Sequence, residues 1–183
     1  MIADQRFAAR RPDVLVFSTD TLQDDLTLGG PLEAELYVKV PHGDADFVVK
    51  LIDVFPEEFT YDSTYCCHPD DGTKWLGSYQ MLVRGEIMRG KYRNSFDKPE
   101  PFDASRIEKV KFILPDVAHT FRKGHRIMVQ VQSSWFPLFD MNPQRFVDIY
   151  HCERKDFTPA LIEVHHSGDH SSRLVVPVLT KTK

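Results

Sequence analysis

Leu32-Glu33-Ala34-Glu35-Leu36-Tyr37-Val38-Lys39-Val40 alternates apolar with polar side chains along its whole length. Successive side chains on a strand point to opposite faces, so this pattern describes a strand with one face in a core and one in water. Asp46-Phe47-Val48-Val49-Lys50-Leu51-Ile52-Asp53-Val54 follows almost at once and reads as a second, more apolar strand. The same signal recurs on either side. Asp13-Val14-Leu15-Val16-Phe17-Ser18-Thr19 precedes the pair, and residues 79–92, 109–114, 126–133, 161–165 and 173–178 follow it. Arg84-Gly85-Glu86, inside residues 79–92, marks a bulge or a close backbone approach.

These runs predict about eight antiparallel strands. Turn residues separate them, as in Leu28-Gly29-Gly30-Pro31, Pro41-His42-Gly43-Asp44 and Arg122-Lys123-Gly124-His125. Helical periodicity is scarce; residues 143–150 suit one short turn. Residues 92–105 read as the longest loop. The expected architecture is all-β: a two-layer jelly-roll β-sandwich of the galactose-binding-like kind.

A chain of 183 residues fits one domain and buries a core without metal or disulfide staples. Its net charge of −4, with no run of Lys and Arg, argues against a nucleic-acid partner. No apolar stretch is long enough to span a membrane. The first residues, Met1-Ile2-Ala3-Asp4-Gln5-Arg6, lack the apolar run of a signal peptide. Three cysteines, Cys66, Cys67 and Cys152, make no disulfide framework and leave at least one thiol free.

Catalytic motifs are missing. No Ser lies in the Gly-x-Ser-x-Gly turn that exposes a hydrolase nucleophile. Cys66-Cys67-His68 places three ligand types in adjacent positions, where they splay rather than converge on a metal. His165 and His166 point to opposite faces; His166 and His170 would meet across a turn. Asp44 with Asp46, and Glu57 with Glu58, lack the further oxygen ligands of a calcium loop. No catalytic residue, metal site or cofactor is expected. His119 and His125 flank a turn without the His-x-His spacing of a cupin-type metal enzyme.

Ser133-Ser134-Trp135-Phe136-Pro137-Leu138-Phe139-Asp140-Met141-Asn142-Pro143 leaves a strand into a proline-punctuated loop rich in aromatics. Such a loop either plugs the end of a sandwich or docks on a neighbour.

Four blocks in order carry a resemblance over nearly the whole chain. They are residues 1–15; residues 46–54; Leu82-Val83-Arg84-Gly85-Glu86-Ile87-Met88-Arg89-Gly90-Lys91-Tyr92-Arg93-Asn94-Ser95; and Gly124-His125-Arg126-Ile127 with Ser133-Ser134-Trp135-Phe136-Pro137 and Asp140-x-Asn142-Pro143. Together they resemble the C-terminal domain of the X-Pro dipeptidyl-peptidase, cocaine esterase and α-amino acid ester hydrolase family. Arg84-Gly85-Glu86 and Phe146-Val147-Asp148 look closer to the acylase and ester-hydrolase branch.

The resemblance implies a jelly roll without a catalytic triad. In that family the Ser, Asp and His belong to an α/β-hydrolase domain, with a helical cap, upstream of this segment. It also implies that Met1 corresponds to an internal Met of a full-length enzyme. Residues 1–12 would be an interdomain strap and residues 13–183 the sandwich. The expected partner is the α/β-hydrolase domain of the same protein, with an acyl pocket that this domain helps shape. Phe7, Arg10, Arg11, Arg84, Arg89, Trp135, Phe136, Phe139, Asp140 and Asn142 are the candidate interface or pocket-wall residues. An exposed interface of this kind also suits a homo-oligomer. The competing expectation is a free-standing carbohydrate-binding module, with Trp75, Tyr79 and Trp135 stacking on sugar rings.

Overall fold

The computed structural model describes residues 4–59 and 76–180. Cys66, Cys67, His68 and Trp75 lie outside these residues. Among the described residues, a one-turn helix, α1 (Arg6–Ala9), is followed by nine strands. They are β1 (Val14–Ser18), β2 (Leu26–Lys39), β3 (Asp46–Val54), β4 (Gln80–Arg89), β5 (Glu108–Phe121), β6 (Arg126–Gln132), β7 (Glu163–Ser167), β8 (His170–Ser171) and β9 (Arg173–Val175). One sheet has the order β1-β6-β3-β4; the other has β5-β2-β7-β8, with β9 also beside β2. Every pairing is antiparallel. The chain changes sheet at most connections, as a jelly roll requires.

The alternation in β2 does what the sequence promised. Leu32, Ala34, Leu36 and Val38 are buried and meet Phe47, Val49 and Leu51 of β3 in the core. Val110, Phe112 and Leu114 of β5 and Val131 of β6 complete it. Each of these Val, Leu and Phe side chains stabilises the fold by about 1.5–3 kcal/mol relative to exposure.

Two strands run further than the sequence suggested. Leu28-Gly29-Gly30-Pro31 is not a turn but lies inside β2, and β5 continues through Pro115 and Asp116. The register slips here: Gly30 pairs with Val117 while Leu32 pairs with Leu114. Gly30 takes φ +125°, a conformation open to glycine. Pro115, which has no N–H to give, falls where the ladder is interrupted. The glycines and prolines that look like strand ends therefore mark a bulge within one long pair.

The longest stretch without a strand among the described residues is 133–162, not 92–105. It contains two 3-10 turns, Ile149–His151 and Arg154–Asp156. No helix among the described residues is long and apolar enough to cross a membrane.

Candidate domain interface

The two sheets present different outer faces. On β2 and β5 the outer face carries charge. Lys109 donates to Glu35 at 2.7 Å, Lys111 pairs with Glu33 at 2.9 Å, and Arg173 of β9 also reaches Glu35. On the β1-β6-β3-β4 sheet the outer face of the two central strands is instead buried. Lys50, Ile52 and Val54 of β3 and Met128, Gln130 and Gln132 of β6 all point outward yet lie out of solvent. A strand buried on both faces needs a cover, and two segments supply it.

The first cover is the N-terminal segment. The Gln5 amide donates to the Gln80 carbonyl at 2.9 Å, and the Gln80 amide donates to Asp4 Oδ1 at 3.3 Å. Arg6 is paired with Asp4 and donates to the Gly77 carbonyl. Gln5 and Ala8 are buried against the sheet, whereas Phe7 is 57% exposed. Arg10 and Arg11 are exposed, and Arg11 is paired with Asp13.

The second cover is the 133–142 loop. The Trp135 ring lies across Gly85, where an added Cβ would come within 2.8 Å of the ring. Its face sits 4.8 Å from Lys50 Nζ. Phe139 packs beside it, with ring centroids 6.1 Å apart. Phe136 is 63% exposed, and Leu138, Phe139 and Met141 are exposed beside it. An open groove of about 730 Å³ continues from this loop, with Pro12, Leu15, Met141, Phe157 and Leu161 in its walls.

The loop is tied down at its far end by buried polar groups. Asn142 Nδ2 donates to Asp44 Oδ2 at 3.1 Å and to Asp46 Oδ1 at 2.8 Å. Arg89 donates to Asp46 at 3.2 Å and reaches the Asp140 carbonyl at 3.5 Å. Burial lifts both carboxyls above the usual carboxylate range, and the Asp46 charge adds to the effect on Asp44.

Lys50, the centre of this arrangement, is 1% exposed. Its ammonium donates to Gln5 Oε1 at 3.0 Å. Burial pulls its pKa down to about 8, with the charge of Arg11 adding to the effect. Lys50 was not among the residues singled out from sequence. The available signal was a lysine at the fifth position of a nine-residue strand, between the apolar runs Phe47-Val48-Val49 and Leu51-Ile52.

The candidate residues thus divide. Phe7, Arg10, Arg11, Arg89, Trp135, Phe136, Phe139, Asp140 and Asn142 fall on or beside the covered face. Arg84 does not; it donates to the Asp116 carbonyl at 2.6 Å and to the Val83 carbonyl at 2.7 Å, tying β4 to β5. One face of the Trp135 indole is occupied by Lys50, which narrows its use as a sugar platform.

The histidines group differently from the sequence reading. His170 lies by Tyr37 and His165, while His166 meets Phe17 at 5.9 Å. His119 and His125 both bond the buried Asp53, at 2.9 and 2.8 Å. Among the described residues, no group of three or more His, Cys, Asp and Glu is placed to hold a metal ion.

Comparison with known proteins gives a consistent result. Residues 3–175 match the X-Pro dipeptidyl-peptidase C-terminal non-catalytic domain. The chain is 32% identical over 179 residues to the cocaine esterase of Rhodococcus sp. (strain MB1 Bresler), covering 98% of this chain and 28% of that enzyme. An α-amino acid ester hydrolase structure superposes with TM-score 0.87 at 40% identity, over 97% of this chain and 27% of that one. An aminopeptidase from a marine sediment Thaumarchaeota archaeon gives TM-score 0.87 at 38% identity, over 98% and 28%. A CocE/NonD family hydrolase from Staphylococcus aureus, at 16% identity and TM-score 0.60, shares the fold. The chain therefore spans little more than a quarter of the length of these relatives, and it belongs to the family of X-Pro dipeptidyl-peptidase C-terminal non-catalytic domains.

Proposed function

We propose that this chain is the accessory sandwich of a serine hydrolase of the acylase, ester hydrolase or X-Pro dipeptidyl-peptidase kind. It packs its covered face on an α/β-hydrolase domain and helps wall that domain's acyl pocket. The family supplies the type of partner. The observation that carries the choice of face is the contrast between the two outer surfaces. One is a ladder of ion pairs, with Ile113 and Val175 exposed singly among them. The other holds Phe7, Phe136, Leu138 and Met141 in the open on segments anchored by buried polar bonds. Exposed apolar groups on a rigid base are what a docking surface needs.

In this reading the chemistry belongs to the partner. A serine of the hydrolase domain attacks the acyl carbonyl, and a histidine takes its proton. The sandwich holds the pocket wall in place and excludes water.

A chimera tests this. The C-terminal domain of the α-amino acid ester hydrolase is replaced by this chain, which is 40% identical to it. A fluorophosphonate probe is expected to label only the hydrolase part. Replacing Phe136 and Phe139 with Ser is expected to lower ester hydrolysis, and replacing Ile113 and Val175 on the charged sheet is not. Labelling of a Ser in this chain, or equal effects of the two pairs, would sink the proposal.

A further inference from the structure

We infer that Lys50 fastens the N-terminal strap and the aromatic loop to the sheet as one unit, so that the docking surface forms or opens as a whole. The importance of the unit for a partner rests on the proposed docking; the coupling itself does not.

The geometry carries the inference. Lys50 projects from the outer face of the central strand β3, directly opposite Gly85 of β4 and Gln130 of β6. Its ammonium has one cover from each segment: the Gln5 carboxamide oxygen of the strap at 3.0 Å and the Trp135 ring of the loop at 4.8 Å. Among the described residues its ammonium donates to that neutral oxygen, and the charge that acts on it is the like charge of Arg11. A buried cation held, among the described residues, by an amide oxygen and an aromatic face depends on both. When the strap lifts, water reaches the ammonium. The flexible side chain then extends into it, leaving the indole without its cation. When the loop lifts, the same exposure removes the reason for the Gln5 bond. Gln130 Nε2 also donates to the Gln5 carbonyl, at 3.5 Å.

Each segment also has an anchor of its own. The strap holds Gln80, and the loop holds Asp44 and Asp46 through Asn142. These anchors set the register of each segment but do not link the two. Among the described residues, Lys50 is bonded to both.

The test uses the chain with Trp75→Phe, so that Trp135 reports alone. The strap is read by exchange of the Gln5, Ala8 and Ala9 amides, all of which are hydrogen-bonded. Gln5→Leu, which touches only the strap, is expected to shift Trp135 emission to the red and raise its quenching by acrylamide. Trp135→Leu, which touches only the loop, is expected to speed exchange of those three amides about tenfold, as local opening does. Lys50→Met keeps the stem and should fold, and it is expected to produce both effects. Independent responses overturn the inference: Gln5→Leu leaving Trp135 emission unchanged, or Trp135→Leu or Lys50→Met leaving the strap amides protected. The chimera separates this from the docking proposal. Uncoupled segments with Phe136- and Phe139-dependent hydrolysis would sink the coupling alone; coupled segments without that dependence would sink the docking alone.

Discussion

Gly85 and Lys50 stand directly across from each other on β4 and β3, and the missing side chain of the one makes room for the aromatic cover of the other. An added Cβ at Gly85 would lie 2.8 Å from the Trp135 ring and 3.3 Å from the Lys50 stem. Both neighbours are side chains, so the ring must shift.

Gly85→Ala is therefore expected to cost about 1–3 kcal/mol, the range for overpacking a filled site. In a Trp75→Phe background it should also move Trp135 emission to the red. Urea unfolding and fluorescence check both. An unshifted emission with wild-type stability would mean that the ring does not rest on this strand.

Lys50 should leave a mark on the pH dependence of stability. Its pKa falls from 10.5 to about 8 on burial. Between these values the unfolded chain binds more protons than the folded one, so stability rises with pH across that window and is flat below it. Urea midpoints measured from pH 7.5 to 10 are expected to show this rise. Lys50→Met should remove the part of it due to this group.

Asn142 offers a second handle. Asn142→Ala withdraws the amide from Asp44 and Asp46; Asp46 keeps Arg89, and the loss of the donor to buried Asp44 Oδ2 is expected to cost about 1–3 kcal/mol. Both carboxyls have raised pKa values, so the folded state holds protons more tightly than the unfolded state does. Their burial therefore costs least in acid and most above their folded pKa. The defect should shrink as pH falls toward the ordinary carboxylate value of 3.8, because a protonated carboxyl replaces the lost donor. Urea unfolding at neutral and acid pH measures it.

The sandwich was legible because alternation is local. Each residue of β2 declares its own face, and eight such runs need no tertiary information. What misled the reading was also local. Glycine and proline at 29–31 and 115 have the same meaning at a turn and at a bulge until the partner strand is known. The covered face was legible only in part. Trp135, Phe136 and Asn142 stood out as an aromatic, proline-punctuated loop, and Phe7 and Arg11 through the resemblance. Lys50 did not, because a single lysine between apolar neighbours shows no partner 45 residues away in the chain. Arg84 shares a motif with Gly85, but a bulge at Val83 turns it toward β5.

The most direct measurement is hydrogen exchange of this chain alone and within the ester-hydrolase chimera. New protection in the chimera is expected over residues 5–11 and 135–142, with none on the charged outer face of β5 around residues 109–113. Protection confined to β2 and β5, or no new protection at all in an active chimera, would contradict docking through the face that Lys50 holds together.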